Sequence, residues 1–248
     1  MPSTSETGHA KNVANFEDLI SFCNGYGASY NPSKEALKIA NLQTQFTASQ
    51  NVLKEVKNTQ TAFNNATNAR MDAFKTLKSY ATKIINALDA TDASAQTVKD
   101  ARTINRKLQG QRATPKAAPA QPPAGSEPTT PDKTISASQQ SYDQQIEHLD
   151  KLIELLASDG NYKPNEADLT IAAIQAKLAA LKTVNTSVVD TYTNWSNSRI
   201  ARRTILYNAL TGLVNTALDV KKYVKSVYGA SSPQYKQVSK LEFRNRKD

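Results

Sequence analysis

From Ser33 to Gln109 the chain runs without a proline or a glycine. Along it, apolar side chains return every three or four positions: Leu42, Phe46, Leu53, Val56 and Phe63, then Phe74, Leu77, Ala81, Ile84 and Leu88. A later stretch keeps the same rhythm through Ile174, Leu178, Leu181, Val188, Tyr192 and Trp195, then Leu206, Leu210, Leu213 and Ala217. Steps of three and four put these residues on one narrow stripe of a helix, and no strand-like alternation competes. The pattern predicts an all-α fold.

Two short phrases set the helices in register with each other. SYNPSKEAL (29–37) is nearly repeated as NYKPNEADL (161–169), and FEDLI (16–20) is answered by LDKLI (149–153). Tyr30 pairs with Tyr162, Pro32 with Pro164, and Ser33 with Asn165. Read as a helix start, the proline stiffens the approach and Ser33 or Asn165 caps. Glu35, or Glu166 with Asp168, then opposes the helix dipole, and Leu37 or Leu169 packs back on the chain before the cap. Each tyrosine is expected to cover this lead-in. A third match, INRK (104–107) with RNRK (244–247), has Val98 and Val238 at the same spacing before it. Self-similarity from start to finish predicts an internal duplication. The matches do not keep one offset, since Phe16 answers Leu149, Tyr30 answers Tyr162 and Asn105 answers Asn245. Insertions are therefore expected at turns.

Asn-rich pieces, NNATNAR (64–70) and NWSNSR (194–199), interrupt the long stripes. Asparagine favours turns and caps over helix interiors, so each long segment is expected to fold back there as a hairpin of helices, the alternative being one long helix whose stripe runs straight through the asparagines. TDAS (91–94) and YGASSP (228–233) announce a shorter last helix, with Gly229 suited to a helix end and Ser231–Gln234 resembling a capping box. Each repeat is then a bundle of about four helices, its long ones antiparallel.

Composition adds the division between the repeats. Six of ten prolines lie within residues 115–131, in a stretch with almost no large apolar side chains. It cannot repay the entropy of folding and reads as a disordered, proline-rich linker. The expected organisation is a disordered tail over 1–14, repeat 1 over 15–110, linker over 111–142 and repeat 2 over 143–248. The N-terminus lacks a basic segment followed by an apolar one, and no apolar run approaches a membrane span. A cytoplasmic protein is expected, with secretion by a route that uses no cleaved signal as the alternative. Cys23 is the single cysteine, placed in the apolar run LISFC, and is expected to be buried.

Charge changes the picture at one end. Of a net +9, residues 221–248 hold eight Lys/Arg against two Asp/Glu. Lys221, Lys222, Lys225, Lys240, Arg244, Arg246 and Lys247 are therefore the candidate contacts to nucleic acid or another polyanion, with Tyr223, Tyr228 and Phe243 available to stack. The competing reading is a solvated face opposite Val220, Val224 and Val227, with the NRK ends neutralising helix dipoles. Catalytic signatures are missing. The histidines are His9, expected in the tail, and His148, expected on the surface beside Glu147. Neighbours on a helix diverge and cannot share a metal. No HExxH, GxSxG or phosphate loop is present; GYGAS (25–29) follows a helix, not a strand. No catalytic residue, metal or cofactor is expected. The leading expectation is a non-enzymatic structural or protein-interaction protein whose partner is another protein or itself. Polyanion binding comes second, and a small-ligand carrier or enzyme using a helical cleft third.

Overall fold

The computed structural model describes residues 4–111 and 140–245; most of the proline-rich stretch, together with Arg246 and Lys247, falls outside them. Among the described residues every regular element is helical. The order is α1 (Thr4–Gly25), α2 (Ile39–Lys75), α3 (Leu77–Asp89), α4 (Ala95–Gln109), α5 (Tyr142–Ser158), α6 (Ile171–Tyr207), α7 (Leu213–Tyr228) and α8 (Pro233–Ser239). Two short 3-10 turns, Gly27–Ser29 and Glu35–Leu37, lie between α1 and α2. The expected tail over 1–14 is corrected: α1 is helical from Thr4.

The predicted hairpins are also corrected. Helices α2 and α6 each run 37 residues without a break, about 55 Å at 1.5 Å per residue. Asn64, Asn65, Asn68, Asn194 and Asn197 all face solvent, where each costs only about 0.5 kcal/mol of helix propensity. On the inner side of those turns Phe63 stacks on Trp195, with ring centroids 5.5 Å apart. Ser198 Oγ also lies 2.8 Å from Thr59 Oγ1. Side-chain packing on one face outweighs weak propensity on the other.

The real breaks come later and differ between the halves. After α2 a single residue, Thr76 at φ −95° and ψ −3°, separates it from α3. After α6 the chain needs Asn208–Gly212. Asn208 Oδ1 accepts from the amides of Leu210 (2.9 Å) and Thr211 (3.1 Å), and the Gly212 amide donates to the Asn208 carbonyl at 2.9 Å. Leu210, expected on the apolar stripe, sits in this connection and is 81% exposed.

The chain forms two compact units, and they do not follow the division at the proline-rich stretch. One unit comprises Met1–Asn64 with Asp190–Asp248. Its core joins Phe16, Leu19 and Leu42 from the first half to Leu213, Val220 and Val224 from the second, all fully buried. The other unit is Asn65–Val189. Its core joins Leu77, Ile84 and Leu108 from the first half to Leu149, Leu156 and Ile174 from the second. Each core is thus completed by both halves of the sequence.

Helix ends follow ordinary capping chemistry. Ser94 Oγ accepts from the Thr97 amide at the start of α4, and Ser141 Oγ accepts from the Gln144 amide at the start of α5. For α8 the cap is Ser232, accepting from the Tyr235 amide, with Pro233 in the first turn; the expected Ser231–Gln234 box lies one residue too early. Gly229 ends α7 at φ +88°, as its position suggested.

Candidate interaction surface

The duplicated phrase does not cap a helix. Helices α2 and α6 start at Ile39 and Ile171, well beyond Ser33 and Asn165, and both of those side chains are exposed. Glu35, Glu166 and Asp168 likewise precede the helices. The device is the tyrosine. Tyr30 Oη donates to the Leu37 carbonyl at 2.7 Å, and Tyr162 Oη donates to the Leu169 carbonyl at 2.8 Å. In each loop the leucine amide donates three residues back, to Lys34 or Glu166, at 2.9 Å. Both rings and both leucines are buried; Pro32 is buried with them and Pro164 is half-buried. A buried carbonyl without a partner is costly, so each tyrosine closes a defect the loop would otherwise leave. Burial pushes the Tyr162 hydroxyl up to about 12, and Tyr30 is raised further by burial and by Cys23 beside it. Cys23 is buried as expected, its thiol also pushed up by burial to about 12.

In each unit a helix of the opposite half covers this loop. In one, Tyr80 of α3 donates to the Asp168 carbonyl at 2.6 Å while Lys83 pairs with the Asp168 carboxylate at 2.7 Å. In the other, Tyr223 of α7 packs edge-on against Tyr30 at 5.3 Å and its hydroxyl accepts from the Asn31 amide at 3.1 Å. There Lys34 of the loop pairs with Asp219 of α7 at 2.7 Å, and Lys222 joins at 3.0 Å. The cation that bridges loop to helix belongs to the helix in the first case and to the loop in the second, where Lys222 adds a cation from α7 itself. Hydrogen bonds from their lysines hold the Asp168 and Asp219 carboxyls below the usual range. An open groove of about 600 Å³ runs past Tyr80, Lys83 and Asp168 toward Lys177.

A second feature lies on the long helices. Phe63, Tyr192 and Trp195 form an aromatic group, with Tyr192 6.2 Å from Trp195 and Arg199 5.4 Å over the indole. Phe63 and Trp195 are half-buried, whereas Tyr192 is 52% exposed and Ile200, about two turns further along α6, is 61% exposed. Periodicity places these rings near the core stripe but cannot show which one faces out.

The basic C-terminal end is partly engaged within the molecule. Lys221 Nζ is half-buried and donates to the Leu241 and Ser239 carbonyls, and burial lowers its pKa. Arg244 pairs with Glu242 at 2.8 Å, and its backbone is held by Asn12 through two hydrogen bonds. Lys225 lies 5.7 Å over Tyr235 and Lys221 5.4 Å over Phe243. Lys222 and Lys240 are exposed. The NRK match is not mirrored locally. Arg106 and Lys107 fall in the last turn of α4, whereas Arg244 and Asn245 lie beyond the end of α8.

Both histidines differ from expectation. His9 is buried in α1, its Nδ1 bonded to Tyr207 Oη. His148 is only 3% exposed, on the face of α5 turned to the core. Its neighbours at −3, +1, +4 and +5 (Gln145, Leu149, Leu152 and Ile153) are buried too, a pattern that could have signalled its position. Desolvation, then Lys107 and Lys151, lower its pKa against a smaller opposite effect of Glu147. Among the described residues no group of His, Cys, Asp or Glu could hold a metal ion, and no helix is long and apolar enough to cross a membrane. No protein-family model, curated protein or solved structure matches the chain.

Proposed function

We propose that this protein is a non-enzymatic interaction protein, built by tandem duplication of a four-helix segment and acting through protein-binding surfaces on its long helices. The observation that carries this reading is what is doubled and what is not. Helices α2 and α6 have equal length, and the register that matches Ile39 with Ile171 also matches the two tyrosine clamps. The longer Asn208–Gly212 connection, set against the single residue Thr76, then brings Leu77 into register with Leu213. Groups with chemical reactivity do not recur: His9 corresponds to Tyr142, His148 to Asn15 and Cys23 to Leu156. Duplication that keeps framework and lets reactive side chains vary fits a framework role. Exposed Tyr192 beside Trp195 and Arg199 supplies the residue types that dominate protein-binding hot spots.

The test is affinity capture from the source cell with the full chain, beside a chain carrying Tyr192→Ser and Ile200→Ser. A defined protein retained by the first and lost from the second is the expected result. If the two chains retain the same proteins, or none, this surface has no such role. Polyanion binding is a second reading, favoured by the exposed Lys222, Lys225 and Lys240 and the Lys225–Tyr235 pairing. It requires a steep salt dependence that weakens when those three lysines become glutamine; a flat gel-shift response at low salt would remove it.

A further inference from the structure

We infer that the two halves of the chain, residues 1–111 and 140–248, are specific binding partners of each other, and that their charges select this pairing over pairing of either half with its own kind. The inference stands on the construction of the units and is independent of the function proposed above.

Neither half owns a complete core. Phe16 and Leu19 of α1 are buried among residues of α7, and Leu149 and Leu156 of α5 among residues of α3 and α4. The contacts of α1 with α7 and α8, and of α4 with α5, all join one half to the other. A half on its own would leave its side of each core open to water, a large apolar surface of the kind that drives association.

The covering of the lead-in loops adds direction. Lys83 in α3 and Asp219 in α7 occupy corresponding positions, in the same register that matches Leu77 with Leu213, and they carry opposite charge. Each faces a loop of the opposite half that carries its complement: Asp168 for Lys83, Lys34 for Asp219. Were the first half to pair with a second copy of itself, Lys83 would meet a loop bearing Lys34, with Ala36 where the other loop has Asp168. Were the second half to do so, Asp219 would meet Glu166 and Asp168. In the native pairing each charge that crosses between the halves meets its opposite, Lys83 with Asp168 and Lys34 with Asp219, the latter carboxylate also neutralising Lys222, and specificity commonly arises by disfavouring the wrong partner. These groups are partly exposed, so the discrimination is several-fold rather than absolute and is screened by salt.

The covalent connection does not enforce the pairing through reach. Gln140 Nε2 donates to the Lys107 carbonyl at 2.8 Å, and a Cβ on Gly110 would lie 2.7 Å from the Gln140 side chain. The chain leaves and returns at one place. Cutting it between them removes only the raised local concentration that a tether gives.

The experiment uses the full chain with a protease site inserted within residues 112–139, cut after folding. The expected result is that both fragments elute together as a one-to-one complex. Its Tm should rise with protein concentration, whereas that of the uncut chain should not. Asp219→Lys in the cut protein should raise the dissociation constant several-fold at low salt, with less effect in high salt, and Lys34→Asp added to it should restore most of the loss. Fragments that separate as two folded species, or a Tm independent of concentration, would overturn the pairing. An Asp219→Lys complex of unchanged affinity, or one that Lys34→Asp weakens further, would overturn the charge selection. Because the Lys34/Asp219 exchange is read in a complex that still forms, a variant that merely fails to fold is told apart by the circular dichroism of the uncut chain.

Discussion

A tyrosine hydroxyl sealing a backbone carbonyl seven residues ahead occurs at corresponding places in both halves of this molecule, at Tyr30 and at Tyr162. Removing that hydroxyl while keeping the ring tests it directly. Tyr30→Phe and Tyr162→Phe should each cost about 1–3 kcal/mol, the usual penalty for stranding a buried polar group, by similar amounts in urea denaturation. A loss at one position and none at the other would show that the two loops are not equivalent. His148 gives a pH dependence of definite sign. Its folded-state pKa lies below the ordinary value, so the unfolded chain takes the proton more readily. Above the ordinary histidine range near pH 6.5 both states are neutral there and nothing is lost. Stability should fall as pH drops through that range toward the folded value. Urea midpoints under alkaline and acidic conditions should differ in that direction, and His148→Gln should shrink the difference. At this scale the sequence is only partly legible. Tyr30 and Tyr162 stand out by repetition, but their hydrogen bonds depend on how the loop brings the leucine carbonyl to the ring, which no spacing rule encodes. His148 looks like a surface residue beside Glu147 and Asp150; only its apolar neighbours at helical spacing place it against the core.

At the level of elements, the helical stripes, the capped start of α4 and the glycine end of α7 are all readable. What stays hidden is where the long helices stop. Asparagine clusters look like turns because propensity is a local property, whereas the rings of Phe63 and Trp195 that hold those turns in a helix come from segments far apart in the chain. Gly212 marks a genuine stop. Its φ of −67° suits any residue, but a Cβ there would lie 2.5 Å from the Asn208 amide nitrogen and 2.6 Å from its carbonyl oxygen. Gly212→Ala must therefore open the Asn208–Gly212 turn. A loss of about 1–3 kcal/mol, typical of overpacking, is expected from thermal or urea melts. Thr76→Ala at the one-residue break should be nearly silent, since its side chain makes no cap. Equal losses at both positions would contradict this difference between the two breaks.

Across the whole molecule, periodicity identifies the helices and the proline-rich stretch separates two halves, but neither can say which helices share a core. Both α1 with α2 and α1 with α7 are compatible with an amphipathic stripe; the choice is made by three-dimensional packing and by pairs such as Lys34 with Asp219. The two units nevertheless share a design, in which the first helix and the start of the long helix of one half meet the last helices of the other. On the duplication proposed above, a four-helix segment that needs a partner to complete itself becomes a homodimer made permanent by gene fusion. The salt bridge reversal at Lys83 and Asp219 is what such a fused pair is free to acquire once its halves no longer have to be identical.

The meeting of Gly110 with Gln140 carries a last consequence. Whatever lies between two points that already touch is exempt from any demand the fold makes on length. Replacing residues 112–139 by a short run of glycines should leave the helical content intact. It should raise stability by about 1–2 kcal/mol, since closing a shorter loop costs less entropy. With its two ends already held together through Gln140, the fold sets no minimum length for the chain that joins the halves.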